Sequence, residues 1–198
     1  MVTEIEIKAH VKEPAALKQL LHEKAEFGYS FEKSDTYYYM DAAVDYFPSG
    51  IRLRKEARRF PDRNEKCETF LTFKRKELKS NIEVNKETEF IIQPSFMHPG
   101  KDETAEDFGN LLLAAGFQIK TRKQKNGWAF HRDRMKIELL EVIPLGWFLE
   151  LEIVKEHDEE ANYQNEKQLL LDFISEIGIN AEDIETRFYS ELLALMGE

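Results

Sequence analysis

Glu-x-Glu pairs occur at Glu4/Glu6, Glu87/Glu89 and Glu150/Glu152 of this 198-residue chain, and basic pairs repeat the spacing at Arg52/Arg54, Lys74/Lys76 and Lys123/Lys125. Side chains two apart on a strand share a face, and the residues between them take the other. In the opening EIEIK the ions Glu4, Glu6 and Lys8 therefore project one way and Ile5 and Ile7 the other. Clustered carboxylates offer hard oxygen ligands to Mg²⁺ or Mn²⁺. Arg forks and Lys ammonium groups neutralise phosphate, the first bidentately and the second as point charges. A solvated sheet face usually mixes the two signs along each strand, whereas here whole strands are acidic and whole strands basic. Such sorting suits a closed barrel with a wet, charged interior that clasps a triphosphate together with its metal ion.

The elements that would carry these residues follow from periodicity. Residues 2–10 alternate as a strand, and Pro14 opens a helix to about Phe27, with Leu17, Leu20, Leu21 and Ala25 at helical spacing. The aromatic run 35–41, in which Asp35, Tyr37, Tyr39 and Asp41 share a face, predicts a strand. Pro48-Ser49-Gly50 predicts a turn, and alternation resumes at Ile51. The charged stretch from Arg58 to Glu68, which contains Pro61, predicts a loop or hairpin tip, with strands from Phe70 and from Glu87. Residues 103–117 predict a helix that turns Phe108, Leu111, Leu112 and Ala115 to one face and ends on Gly116. Strands near 118–125, 128–133, 135–142 and 148–154 come next. An amphipathic helix over 158–177 then ends at Gly178, and a last helix capped by Asn180 turns Tyr189, Leu192 and Leu193 inward. Strands in hairpin-like succession predict one α+β domain over residues 1–198, built on antiparallel sheet with about eight strands and four helices.

The 38 acidic side chains outnumber 28 basic ones for a net charge of −10, which repels duplex nucleic acid and an anionic membrane surface. Any bound anion must be held by a local cluster. Cys67 is the single cysteine, so an internal disulfide is excluded and a reducing, cytoplasmic setting is expected. No run approaches the ~18 apolar residues of a membrane span. His10, His22, His98, His131 and His157 lack metal-site spacing, and the chain has neither a P-loop nor a GxGxxG. Trp128 and Trp147 are expected to pack at a barrel end or to stack on a base. The run Ala57–Arg59 reads as a solvated loop able to close over a phosphate tail.

The EIEIK of Glu4, Glu6 and Lys8 resembles the ExExK signature of the CYTH superfamily, the triphosphate tunnel metalloenzymes that include class IV adenylyl cyclases and thiamine triphosphatases. Similar motifs continue in the family's order: D-x-Y-Y at Asp35, R-x-R at Arg52 and Arg54, TFK at Lys74, E-x-E at Glu87 and Glu89, and K-x-K at Lys123 and Lys125. LGWFLELE around Gly146, Glu150 and Glu152 looks like the family's LGxFxExE, and DIETRFYSELL, with Arg187 and Tyr189, is similar to the close of bacterial class IV cyclases. Together they span essentially the whole chain.

The resemblance implies an eight-stranded antiparallel closed β-barrel, a tunnel with helices packed outside. It implies a triphosphate held by Lys8, Arg52, Arg54, Lys74, Lys76, Lys123, Lys125 and Arg187, and Mg²⁺ or Mn²⁺ held by Glu4, Glu6, Glu87, Glu89, Glu150 and Glu152, with Glu4, Glu6 and Lys8 as the catalytic set. The activity implied first is conversion of ATP to cyclic AMP and pyrophosphate. The alternatives are hydrolysis of thiamine triphosphate, inorganic tripolyphosphate or nucleotides, and a non-catalytic module that binds polyphosphate or nucleotides. A homodimer is implied by the resemblance alone. Two positions depart from the family's pattern: Leu140 stands where an Asp is usual, with Glu138 and Glu141 nearby, and Lys125 stands where Arg is frequent.

Overall fold

A computed structural model describes residues 2–40, 49–79, 82–92, 105–155 and 163–196. Asp41, Pro48, His98, His157 and the expected helix starts at 103–104 and 158–162 lie outside them. Eight antiparallel strands close on themselves: β1 (Val2–His10), β2 (Glu26–Tyr39), β3 (Ser49–Arg59), β4 (Lys66–Lys79), β5 (Ile82–Ile92), β6 (Gln118–Arg132), β7 (Met135–Ile143) and β8 (Gly146–Lys155). Hydrogen bonding runs β5-β4-β3-β2-β6-β7-β8-β1 and returns from β1 to β5, so the barrel has no open seam. A two-residue β9 (Ile184–Glu185) adds to β1. Four helices, α1 (Pro14–Lys24), α2 (Ala105–Ala114), α3 (Gln164–Glu176) and α4 (Tyr189–Leu195), complete the chain.

Most of the apolar side chains of the strands point outward, and the main core lies between barrel and helices. Ile5, Ile7, Ile137, Leu139, Leu149 and Leu151 pack under Leu17 and Leu21 of α1 and Leu170 and Phe173 of α3. Side chains of this size each contribute about 1.5–3 kcal/mol when fully buried, which is why the polar set is driven inward. On another side, Phe108 and Leu112 of α2 cover Tyr38 and Leu53. A smaller apolar cluster joins Phe31, Ala129, Leu140, Val142 and Phe148 to Tyr189 and Leu192 of α4, so α4 closes one end of the barrel.

Several boundaries differ from those expected. The first helix stops at Lys24 and Ala25 is already extended (φ −147°, ψ 158°), because β2 begins at Glu26 and runs past a bulge between Phe27 and Tyr29. The two strands expected over 118–133 are one, β6. Gly127 sits mid-strand where a Cβ would come within 2.3 Å of the Leu139 carbonyl oxygen, so it marks close strand approach and not a break. Ser49 and Gly50 belong to β3, and the β3–β4 hairpin tip narrows to residues 60–65. Asn180 precedes a 3₁₀ turn at Ala181–Asp183; α4 is capped instead at Phe188, whose N–H donates to Glu191 Oε2 at 2.6 Å. No helix among the described residues is long and apolar enough to cross a membrane.

Candidate active site in the barrel lumen

Among the described residues nine carboxylates and nine cations line the lumen, so the lining itself carries no net charge, and about 130 Å³ within is open to water. The strand order sorts the signs in space. Neighbouring β8, β1 and β5 present Glu150, Glu152, Glu4, Glu6, Glu83 and Glu87 as one acidic wall, and β4, β3 and β6 present Lys74, Lys76, Arg52, Arg54, Lys123 and Lys125 across from it. Every E-x-E, R-x-R and K-x-K pair expected from the sequence thus faces the same enclosed space.

Ion pairs stitch the walls together. Lys74 bonds Glu4 at 3.0 Å and contacts Glu87, while Lys125 bonds Glu150 at 2.8 Å. Arg52 donates to Thr72 and to Glu89, both at 3.1 Å, and Arg54 forks onto buried Asp35 at 2.6 and 2.8 Å. Lys8 is fully buried against Glu83. On the acidic wall, burial, helped by Glu152 and Glu87 and opposed by Lys74, raises Glu4 to about 8. Burial, helped by Glu83 and Glu150, likewise raises Glu6 to about 7. Glu150 goes the other way: Lys125 overcomes its burial and draws it down to about 2.

The basic wall keeps two cations without carboxylates. Among the described residues nothing acidic pairs with Lys76 or Lys123, whose ammonium groups sit 4.8 Å from the Phe188 ring centroid and 4.2 Å from that of Tyr37. Burial, together with Lys76 and Lys125, lowers Lys123 to about 8 against the pull of Tyr37. Burial alone would raise the Tyr37 phenol, but Lys123 and Arg52 bring it to about 7.

A second network lies inside the barrel that was not among the expected site residues. Lys33 donates to both oxygens of Glu138 at 2.7 Å and stands 4.0 Å from Glu56. Lys136 joins Glu138 at 3.0 Å and Glu152 at 3.5 Å, and Arg58 forks onto Glu56 at 2.8 and 3.1 Å. Exposure shows which end is open: the side chains of Glu89, Lys136 and Arg58 are 39, 32 and 26 % exposed, while Lys8, next to α4, is 1 % exposed. Tyr189 of α4 lines the closed end, 4.7 Å from Lys125 by ring centroid.

Leu140 faces inward but belongs to the apolar cluster beneath α4; Glu138, two residues earlier on the same face, meets the lumen, and Glu141 lies on the opposite face. Glu138 is neutralised by Lys33 and Lys136, which hold it well below the usual carboxylate range against its burial, so it does not stand in as a free ligand. Arg187 falls outside the lumen lining: its half-exposed guanidinium forks onto Glu185 at 2.9 and 2.6 Å. Trp128 and Trp147 stack on each other on the outer face, 5.6 Å apart, with Lys18 over the first.

Hard oxygen donors on adjacent strands suit a divalent cation. Two of them, Glu4 and Glu6, sit among enough buried carboxylates to hold protons near neutral pH, a demand for positive charge that such an ion would meet. As the side chains stand, no three acidic or histidine ligands among the described residues gather about one point. Lys74 and Lys125 hold Glu4 and Glu150 to opposite strands, and Glu87 and Glu89 are engaged by Lys74 and Arg52.

Residues 3–189 match the CYTH domain family. No curated protein matches the chain closely enough to count. Solved structures do: a Pyrococcus horikoshii protein is 24 % identical at a TM-score of 0.78, covering 98 % of this chain and 99 % of that one. One from Pyrococcus furiosus is 26 % identical, with a TM-score of 0.70 and coverage of 96 % and 99 %. A Hippeastrum protein, described as a candidate adenylyl cyclase with a dominant triphosphatase activity, is 19 % identical at a TM-score of 0.61, covering 94 % and 91 %.

Proposed function

This chain belongs to the CYTH family, and on that premise we propose that it is a metal-dependent enzyme acting on a triphosphate in the barrel lumen, with conversion of ATP to cyclic AMP and pyrophosphate as the first reading. The observation that carries it is the confrontation of an acidic and a basic wall across one enclosed, watered space. Glu4, Glu6, Glu150 and Glu152 are the residues that would hold Mg²⁺ or Mn²⁺, which would supply positive charge to offset that on the phosphate oxygens. With those carboxylates engaged by a cation, Lys74 and Lys125, now bonded to Glu4 and Glu150, would be free to meet phosphate oxygens. Lys76, Lys123, Arg52 and Arg54 surround the phosphate chain with charge-assisted donors. In cyclisation the ribose 3′-oxygen bonds to the α-phosphorus, the bond to the bridging oxygen breaks, pyrophosphate departs, and the hydroxyl proton passes to lumen water.

A second reading, triphosphatase, is favoured by Tyr37. This phenol lies beside Lys123 toward the closed end, where the terminal phosphate of an inward-running chain would rest. With its pKa drawn to about 7, it is poised to take a proton from water attacking the terminal phosphorus. Incubation of the pure protein with Mg²⁺ or Mn²⁺ and, separately, ATP, thiamine triphosphate and tripolyphosphate, followed by product separation, decides among the readings. Equimolar cyclic AMP and pyrophosphate support the first, and orthophosphate the second. Tight binding with no product from any of the three leaves only a binding module and sinks the enzyme.

A further inference from the structure

At the open end of the barrel the β3–β4 hairpin tip lays Phe60 against Tyr29 of β2, ring centroids 5.2 Å apart and tilted by 53°. Tyr29 is on the lumen side of β2, and the Arg58 guanidinium bridges inward from it, 5.3 Å from its centroid and 5.4 Å from that of Phe70. Arg63 covers Phe60 at 3.7 Å, is exposed, and has no carboxylate partner among the described residues. Phe60 joins none of the apolar clusters that stabilise the fold. An aromatic pair capped by a guanidinium plane is the surface on which a planar base stacks, with little preference for which base. From Tyr29 to Tyr37 the strand covers about 20 Å along the barrel axis, given ~3.3 Å of rise per residue and a tilt near 40°. An extended nucleoside triphosphate spans most of that distance, and the long Lys123 side chain covers the remainder; tripolyphosphate, without a base, leaves the mouth empty.

We propose that Phe60, Tyr29 and Arg63 form a stacking platform at the mouth that holds the uncharged base of a nucleoside triphosphate while its phosphates run inward toward Lys123. The inference rests on the triphosphate reading above and narrows it. Unpaired Arg63 at the rim repels the cationic thiazolium of thiamine triphosphate, so the platform selects nucleotides against it.

Calorimetric titration of the full chain with Mg²⁺ and either ATP, tripolyphosphate or thiamine triphosphate tests this. In Phe60→Ala, ATP affinity is expected to fall about tenfold, within the range of a lost base stack, with tripolyphosphate affinity unchanged. That unchanged affinity also reports an intact fold. Phe60→Trp is expected to retain or tighten ATP binding, and Arg63→Ala to narrow the preference for ATP over thiamine triphosphate. Equal weakening of ATP and tripolyphosphate, no effect on ATP, or thiamine triphosphate binding the wild type as tightly as ATP overturns the platform. Since the readout is binding, absence of turnover would sink the catalytic reading and leave this inference standing, whereas absence of binding by tripolyphosphate would sink the reading beneath both.

Discussion

The two walls of the lumen are built from the same device, like charges two residues apart on adjacent strands, and they show the same stress with opposite sign. On the acidic wall Glu4 and Glu6 are raised to about 8 and 7; on the basic wall Lys123 is lowered to about 8. Each wall drives some of its own charge toward neutrality, as buried like charges must. The Lys33–Glu138 network between them alternates its signs: Glu138 stays ionised between two lysines, while burial, opposed by Glu138, still lowers Lys33 to about 8. Charge that is satisfied within the protein fixes shape, whereas charge that is unsatisfied there asks for a ligand.

That contrast can be broken at several points. The largest effect is expected from Glu6→Gln, which removes a charge from the acidic wall at nearly constant shape. Turnover in a steady-state assay should fall by about a hundred- to a thousandfold, a loss of the size seen when a main electrostatic contribution disappears. The melting temperature should rise or hold, since crowding is relieved. A variant with wild-type turnover would remove Glu6 from the metal group. Next comes Lys123→Met, which deletes a buried cation with no carboxylate ion pair among the described residues. We expect kcat/KM to drop about a hundredfold, of the order of charge-assisted phosphate contacts, together with a gain in urea resistance. Loss of both activity and stability would instead mark Lys123 as a structural cation.

A smaller change should follow Leu140→Asp, which installs the family's usual acid. Because Leu140 lies under α4 among Phe31, Val142 and Phe148, the carboxylate should cost about 2 kcal/mol as a poorly satisfied buried polar group, read from the urea midpoint, without raising turnover. Higher activity would show that the position still belongs to the metal group. The smallest effect concerns pH. The native state keeps protons on Glu4 and Glu6 that the unfolded chain releases, so their contribution makes stability fall as pH rises from about 4.5 toward 8. With chelator present, the melting temperature should decline by a few degrees over that window, and added Mn²⁺ should flatten the decline. A rise with pH in chelator would contradict the acidic wall's burden.

Much of this was legible in the chain. Strand alternation with sorted charge placed Glu4, Glu6, Arg52, Lys74, Lys123 and Glu150 in one lumen because a two-residue period fixes the face whatever the sheet's curvature. The second network was not. Lys33 precedes the aromatic run by two residues, in phase with Asp35 and Tyr37, yet the bulge near Gly28 interrupts the period and hides that β2 begins at Glu26. Lys136 and Glu138 alternate with Ile137, but Leu139-Leu140 ends the pattern where the lumen becomes apolar under α4. Arg187, which motif order sets with the phosphates, stands outside the lumen lining and forks onto Glu185 two residues away, a local pairing that motif order does not reveal.

Because α4 seals one end, the barrel works as a vessel with a single doorway. Whatever enters phosphate-first must come out in reverse, the part nearest the doorway leaving before the part lodged at the bottom. Whatever lodges deepest among the lysines and arginines would then be the last to go, and the natural competitor of the next molecule to enter.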